Sequence, residues 1–224
     1  HGMGSTVSTV IVNLKHYRQS SSVQAERFLE NFVGLERSEK LRIIFALNPI
    51  DLRLCASFPE LEFYSQHVDP VEYGAHTGQF SPESLIDLGI TGSLLNHSER
   101  RLPATVIEAT VLSARRSGLE IALCCESPGE VETYCDLRPD MIAYEPPELI
   151  GGNISVTSAK PSVISEVVRT CSSKQVPVLV GAGVKTRSDY ETSLKLGAAG
   201  ILIASGVVLA KNPLLSLSSL IENQ

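Results

Sequence analysis

The sequence predicts an α/β fold, a single-domain closed (β/α)8 barrel, and three observations carry that expectation. Short β-branched apolar runs recur eight times, helical apolar stripes separate them, and most runs are apolar throughout, as in "VLV" and "ILIA". A strand covered on both faces reads this way, which points to a parallel sheet sheathed in helices.

The strand candidates are residues 9–14, 42–47, 62–68, 92–95, 121–125, 141–144, 177–180 and 200–204. Between them, Ile107, Val111 and Ala114 form one stripe at helical spacing, and Ile164, Val168 and Cys171 form another. "SPES" at Ser81 and "NPLLS" at Asn212 each place a proline just inside a helix, behind a capping residue. "PIDLRLCASFPE" has room for only about two helical turns. With 224 residues the chain falls below the roughly 250 typical of this barrel, so some helices must be short or missing. An open doubly wound sheet is the alternative, but the first strand runs into "NLKHY" and lacks the Gly-rich dinucleotide fingerprint. No low-complexity linker divides the chain. Residues 5–224 are expected to form one domain, and residues 1–4 to be a cloning remnant.

The bulk composition narrows the function classes. A formal charge of −6 disfavours nucleic acid, whose binding leans on clustered Lys and Arg, and "ARRSG" is only a basic dipeptide on an expected helix face. No long uncharged apolar stretch suggests a membrane span. Cys55, Cys124, Cys125, Cys135 and Cys171 lack paired metal spacing and read as buried structural thiols in a reducing cytoplasm. "HGMGSTVSTV" has neither the basic start nor the apolar core of a secretory signal.

In a barrel, the C-terminal ends of the strands face one mouth. Those positions hold Asn13 and Lys15, Gln66 and His67, Asn96 and His97, Glu145, Gly181 to Gly183, and Ala204 to Gly206. A base, a cation, an imidazole and two Gly-containing turns suit isomerisation of a phosphorylated substrate.

Five of these segments carry a family likeness. "NLK" at Asn13, "LLNHSERR" at Leu94, "AYEPPELIGG" at Ala143, "VGAGV" at Val180 and "ASGVVLAKNP" at Ala204 stand in family order along essentially the whole chain. The sequence thereby resembles the triosephosphate isomerases, especially their short archaeal form. The resemblance implies interconversion of dihydroxyacetone phosphate and glyceraldehyde 3-phosphate through an enediolate, with no metal and no organic cofactor.

By that resemblance Glu145 is the base, His97 the neutral electrophile and Lys15 the fixed positive charge, with Asn13 orienting Lys15 or touching substrate. "NHSERR" is expected to open a short helix capped by Asn96 or Ser98, whose N-terminal dipole would disfavour imidazolium at His97. The N-x-K spacing would put Asn13 and Lys15 on one strand face, with Glu99 as a plausible partner for the ammonium. Gly183, Ala204 and Ser205 are the implied phosphate contacts, joined by Ile150 from a closing lid. His16, His67 and His76 lack such context and read as structural.

The lid reading rests on residues too. Pro146-Pro147 stiffens the near end of the loop after Glu145, and Gly151-Gly152 loosens the far end. "GGNISV" departs from the family's usual far hinge. The long segment "DPVEYGAHTGQFSPES", with Thr77 at its tip, resembles the loop that enters a neighbouring subunit, which implies a homodimer or homotetramer. Two rivals stay open at this stage: another phosphosugar-handling barrel enzyme, and a phosphosugar-binding protein without turnover.

Overall fold

The computed structural model describes residues 7–36 and 38–221, so residues 1–4 lie outside the described part. Eight strands close into a parallel barrel in chain order, each hydrogen-bonded to the next and β8 back to β1. The strands are β1 Ser8–Asn13, β2 Leu41–Leu47, β3 Glu62–Ser65, β4 Gly92–Leu95, β5 Glu120–Cys125, β6 Met141–Tyr144, β7 Val178–Val180 and β8 Gly200–Ile203. All eight expected runs are strands. The third stops at Ser65 rather than residue 68, where the Ser65 hydroxyl donates to the His67 carbonyl and the chain turns away.

Helices α1 (Ala25–Glu30), α2 (Pro82–Leu88), α3 (Ala104–Ser117), α4 (Pro128–Cys135), α5 (Val156–Ala159), α6 (Pro161–Ser172), α7 (Arg187–Lys195), α8 (Ser205–Val208) and α9 (Pro213–Ile221) surround the barrel. Between β2 and β3 there is only a nine-residue 3₁₀ segment, Pro49–Ser57, which is the shortened crossover the sequence implied. Ser81 accepts from the Ser84 N–H and Asn212 from the Leu215 N–H, so both proline-led helix starts are capped as read.

Two apolar layers follow from the strand alternation. Ile11, Ile44, Ala46, Tyr64, Leu94, Cys124, Ala143, Leu179 and Leu202 fill the barrel interior. Their strand neighbours Val10, Val12, Phe45, Leu47, Leu123, Tyr144 and Val180 face the helices instead. On α3 the expected stripe of Ile107, Val111 and Ala114 is buried. On α6, Ile164, Val167 and Cys171 are buried, while Val168 is only partly so. The neighbouring valine takes the inward place, and each buried side chain contributes about 1.5–3 kcal/mol.

At the N-terminal end of the barrel, Arg42 bridges Glu62 at 2.5 Å and Glu120 at 2.6 Å, and Tyr64 donates to Glu120 from within. This half-buried cluster plugs the bottom of the barrel. The alternation has its functional consequence at the other end. Two residues on from inward Ile11, Ala143, Leu179 and Leu202 stand Asn13, Glu145, Gly181 and Ala204. The period of two therefore aims these four positions at the mouth.

Candidate active site

Lys15 lies just beyond β1, with φ at 48°, in the left-handed region. The same-face argument therefore does not describe it, because the strand ends at Asn13. Side chains hold the turn instead. The Lys15 N–H donates to Asn13 Oδ1 at 3.0 Å, and the Lys15 carbonyl accepts from Gln66 Nε2 at 3.1 Å. The ammonium meets Glu99 Oε1 at 2.8 Å, the partner the sequence suggested. Gln66 stood among the mouth residues without a role. Its function depends on a backbone angle at Lys15 that no sequence pattern displays.

His97 follows β4 in a turn, not in a helix. The Arg100 N–H donates to the His97 carbonyl at 2.7 Å, and α3 starts only at Ala104, after Pro103. The expected helix at "NHSERR" is thus absent, and with it the helix dipole expected to act on the ring. The backbone N–H of Glu99 donates to His97 Nδ1 at 3.1 Å, and a nitrogen that accepts an amide hydrogen cannot carry one. The ring proton is therefore assigned to Nε2 by the hydrogen-bond network. Asn96, also at positive φ, fixes the turn by accepting from the Leu102 N–H and donating to the Cys124 carbonyl.

Glu145 extends β6, its N–H donating to the Cys125 carbonyl at 2.9 Å. Its Oε1 lies 3.0 Å from His97 Nε2, yet the two are not aligned as a hydrogen bond, and both atoms are buried without any hydrogen-bond partner. Buried polar atoms left open in this way cost free energy. Here the two face one another at contact distance at the barrel mouth. Gly181 makes room for the carboxylate: a Cβ there would sit 2.6 Å from Glu145 Oε2. Beneath, burial first and then the Glu145 charge push the Cys124 thiol well above its ordinary range, so it stays a neutral packing group.

Glu145, Lys15, Ile150, Gly183, Ala204 and Ser205 line one pocket. Asn13, Lys15, Gln66, His97 and Glu99 line the adjoining one. Lys15 belongs to both walls, and the His97–Glu145 approach spans them, so the two pockets are halves of one cleft. Every sequence-predicted site residue borders it. Two larger surface grooves lie at the opposite end of the barrel, one beside Leu41, Glu62 and Thr91 and the other beside Ser8, Tyr190 and Leu214, away from these groups.

The loop after Glu145 begins with a single 3₁₀ turn, Pro147–Leu149, and Gly151 takes φ +71°. Ile150 faces the pocket beside the two Gly-containing turns. Gly183 also has positive φ, and its backbone presses against Ile154, where a Cβ would lie 2.3 Å from the carbonyl oxygen. Of the remaining histidines, His67 also borders the cleft, while its ring is engaged in a structural pair. His67 pairs with Asp69 at 2.8 Å, with burial holding its pKa below the ordinary value; His16 bonds Asn48; His76 is exposed. All five cysteines are free and buried, and the described residues contain no cluster able to hold a metal ion.

The comparisons with known proteins agree with this geometry. A family model described as triosephosphate isomerase matches residues 8–223. A triosephosphate isomerase of Thermoplasma volcanium is 52% identical over 214 residues, covering 96% of this chain and 99% of that protein. Those of Archaeoglobus fulgidus and Saccharolobus solfataricus are each 38% identical, covering 96% and 91% of this chain and 97% and 90% of their own lengths. A barrel that brings a strand-end carboxylate, an imidazole and a lysine to one mouth, with relatives alike over nearly their whole length, belongs to the triosephosphate isomerase family.

Proposed function

We propose that the protein is a triosephosphate isomerase, interconverting dihydroxyacetone phosphate and D-glyceraldehyde 3-phosphate in glycolysis and gluconeogenesis. The observation that carries this reading is the open pair of buried atoms, His97 Nε2 and Glu145 Oε1, 3.0 Å apart beside the Lys15 ammonium pocket. Glu145 removes a proton from the carbon next to the substrate carbonyl, and the electron pair moves onto the carbonyl oxygen to give an enediolate. His97 Nε2–H donates to that oxygen and passes a proton between the two oxygens. Protonated Glu145 then returns its proton to the neighbouring carbon, which completes the isomerisation without change of oxidation state. Lys15 stabilises the developing negative charge, and Asn13 keeps it in place.

The phosphate is held by backbone N–H groups at Gly183, Ala204 and Ser205, where barrels of this kind commonly bind it, with Ile150 covering it from the lid. None of these roles needs a metal or an organic cofactor. No helix among the described residues is long and apolar enough to cross a membrane. A role in glycolysis and gluconeogenesis is the reason we assign the cytoplasm as compartment. The loop from Asp69 to Phe80 is closed at its base by paired bonds between those two residues and exposed at Thr77, which suits insertion into a second copy of the chain in a homodimer or homotetramer.

A coupled assay of glyceraldehyde 3-phosphate isomerisation tests the reading. Turnover at enzymatic rate is expected. Substrate binding without turnover would point to a binding protein, and neither binding nor turnover to a different phosphosugar enzyme. Sedimentation of the same preparation is expected to give a multiple of the 24.2 kDa chain mass, and a monomer would remove the loop-insertion proposal.

A further inference from the structure

The far end of the lid runs into a buried, hydrogen-bonded segment. Ser155, Val156 and Thr157 are buried and tied to the loop after β7 in three ways. Gly183 packs against the Ile154 carbonyl, the Val156 N–H donates to the Ala182 carbonyl at 3.1 Å, and Thr157 Oγ1 donates to Asp189 Oδ1 at 3.1 Å. The second oxygen of Asp189 accepts from the backbone N–H groups of Lys185 and Thr186, each at 3.0 Å.

Part of this is ordinary helix capping. Thr186 and Asp189 form a reciprocal capping box at the start of α7. That box needs only the bonds between those two residues. The further bonds to Lys185 and Thr157 lie outside it, and they join two loops that both border the phosphate pocket. The hydroxyl chain has one consistent direction. Thr157 gives its hydrogen to Asp189, so it must accept from Ser155 Oγ at 2.7 Å, and Ser155 Oγ in turn accepts from the Thr157 N–H at 3.1 Å. Burial alone would raise the Asp189 pKa; the backbone donors outweigh it and hold the carboxyl below its ordinary value, so it is anionic throughout the neutral range.

We propose that Asp189 is a positioning residue which, through Thr157, clamps the far end of the lid to the phosphate loop, so that a bound phosphate and a closed lid favour one another. The proposal rests on the isomerase reading and extends it. It also supplies a physical reason why this chain functions with "GGNISV" at the far hinge: the hinge is fixed by a side-chain clamp rather than by local backbone stiffness.

Thr157→Val keeps the side-chain shape and the capping box, and removes the donor to Asp189 together with the acceptor for Ser155 Oγ. With glyceraldehyde 3-phosphate, kcat/KM is expected to fall about tenfold, the size of one charge-assisted hydrogen bond. With glyceraldehyde itself, which has no phosphate to engage the lid, the fall is expected to stay within about twofold. The share of turnovers that lose inorganic phosphate is expected to rise, because a looser lid lets the C3–phosphate bond turn in line with the enediolate π electrons, which then expel phosphate as the C2–C3 double bond forms. Thr157→Ser should restore the parent values, and Asp189→Asn combined with Thr157→Val should be no worse than the poorer single variant. Turnover by the unaltered protein tests the isomerase reading separately. Equal losses on both substrates, additive losses in the double variant, or an unchanged phosphate leak would overturn the clamp. If Thr157→Val does not yield folded protein, Thr157→Ala carries the same comparison.

Discussion

Glu145→Gln is expected to lower kcat by about a thousandfold or more, roughly 4 kcal/mol of barrier, while the protein stays folded. Glutamine has the shape of glutamate, and the space left by Gly181 accommodates it equally well. The strand bond from residue 145 to the Cys125 carbonyl is a backbone bond and survives the change. What is lost is the capacity to take a proton from carbon, for which no second carboxylate stands ready: Glu99 is engaged with Lys15 and the turn at His97. Steady-state kinetics with a thermal melt decide the matter. Near-normal turnover in folded protein would remove Glu145 from the role of base.

Lys15→Ala is expected to reduce kcat/KM by two to three powers of ten, about 3–4 kcal/mol, the usual scale for deleting one preorganised charge donor. The fold should tolerate it. Alanine at the left-handed angle of residue 15 is no more strained than lysine, and the bonds from Asn13 and Gln66 engage the backbone rather than the side chain. Glu99, half exposed, is left solvated rather than stranded. Lys15→Arg keeps the charge but brings a planar fork into a place shaped for a point charge, and should recover little. A loss below tenfold for Lys15→Ala would contradict the assigned charge role.

The fold was legible in the sequence because the strands of this barrel are covered on both sides, and most are therefore written as nearly unbroken apolar runs. Its boundaries were less so: β3 ends where Ser65 turns its hydroxyl onto the His67 carbonyl, a local bond with no compositional mark. The choice between Val167 and Val168 on α6 was also beyond periodicity, since both fit a helical stripe and only packing separates them. The missing helix at His97 could have been foreseen. Pro103 disfavours helical backbone at Leu102, which confines any helix at "NHSERR" to fewer than about two turns.

The site was legible by residue type and position at strand ends, but not by mechanism of support. The His97 ring is oriented by one amide of Glu99, not by a helix terminus. Lys15 is placed by Asn13 and Gln66, not by strand alternation. Gly181 is required by the carboxylate above it, not by a turn. The capping pattern at Thr186 could announce a helix start, yet its link to Thr157 spans 32 residues and exists only in the fold.

If Glu145 carries a proton between adjacent carbons of a triose phosphate, isomerisation in deuterium oxide followed by proton NMR reads the fate of that proton. A carboxyl group that holds the proton long enough to exchange with solvent should leave deuterium at C2 of the glyceraldehyde 3-phosphate formed, in a share of turnovers, and Glu145→Gln should abolish the incorporation. Isomerisation with complete retention of hydrogen would mean direct transfer between the carbons, and would contradict Glu145 as the proton carrier.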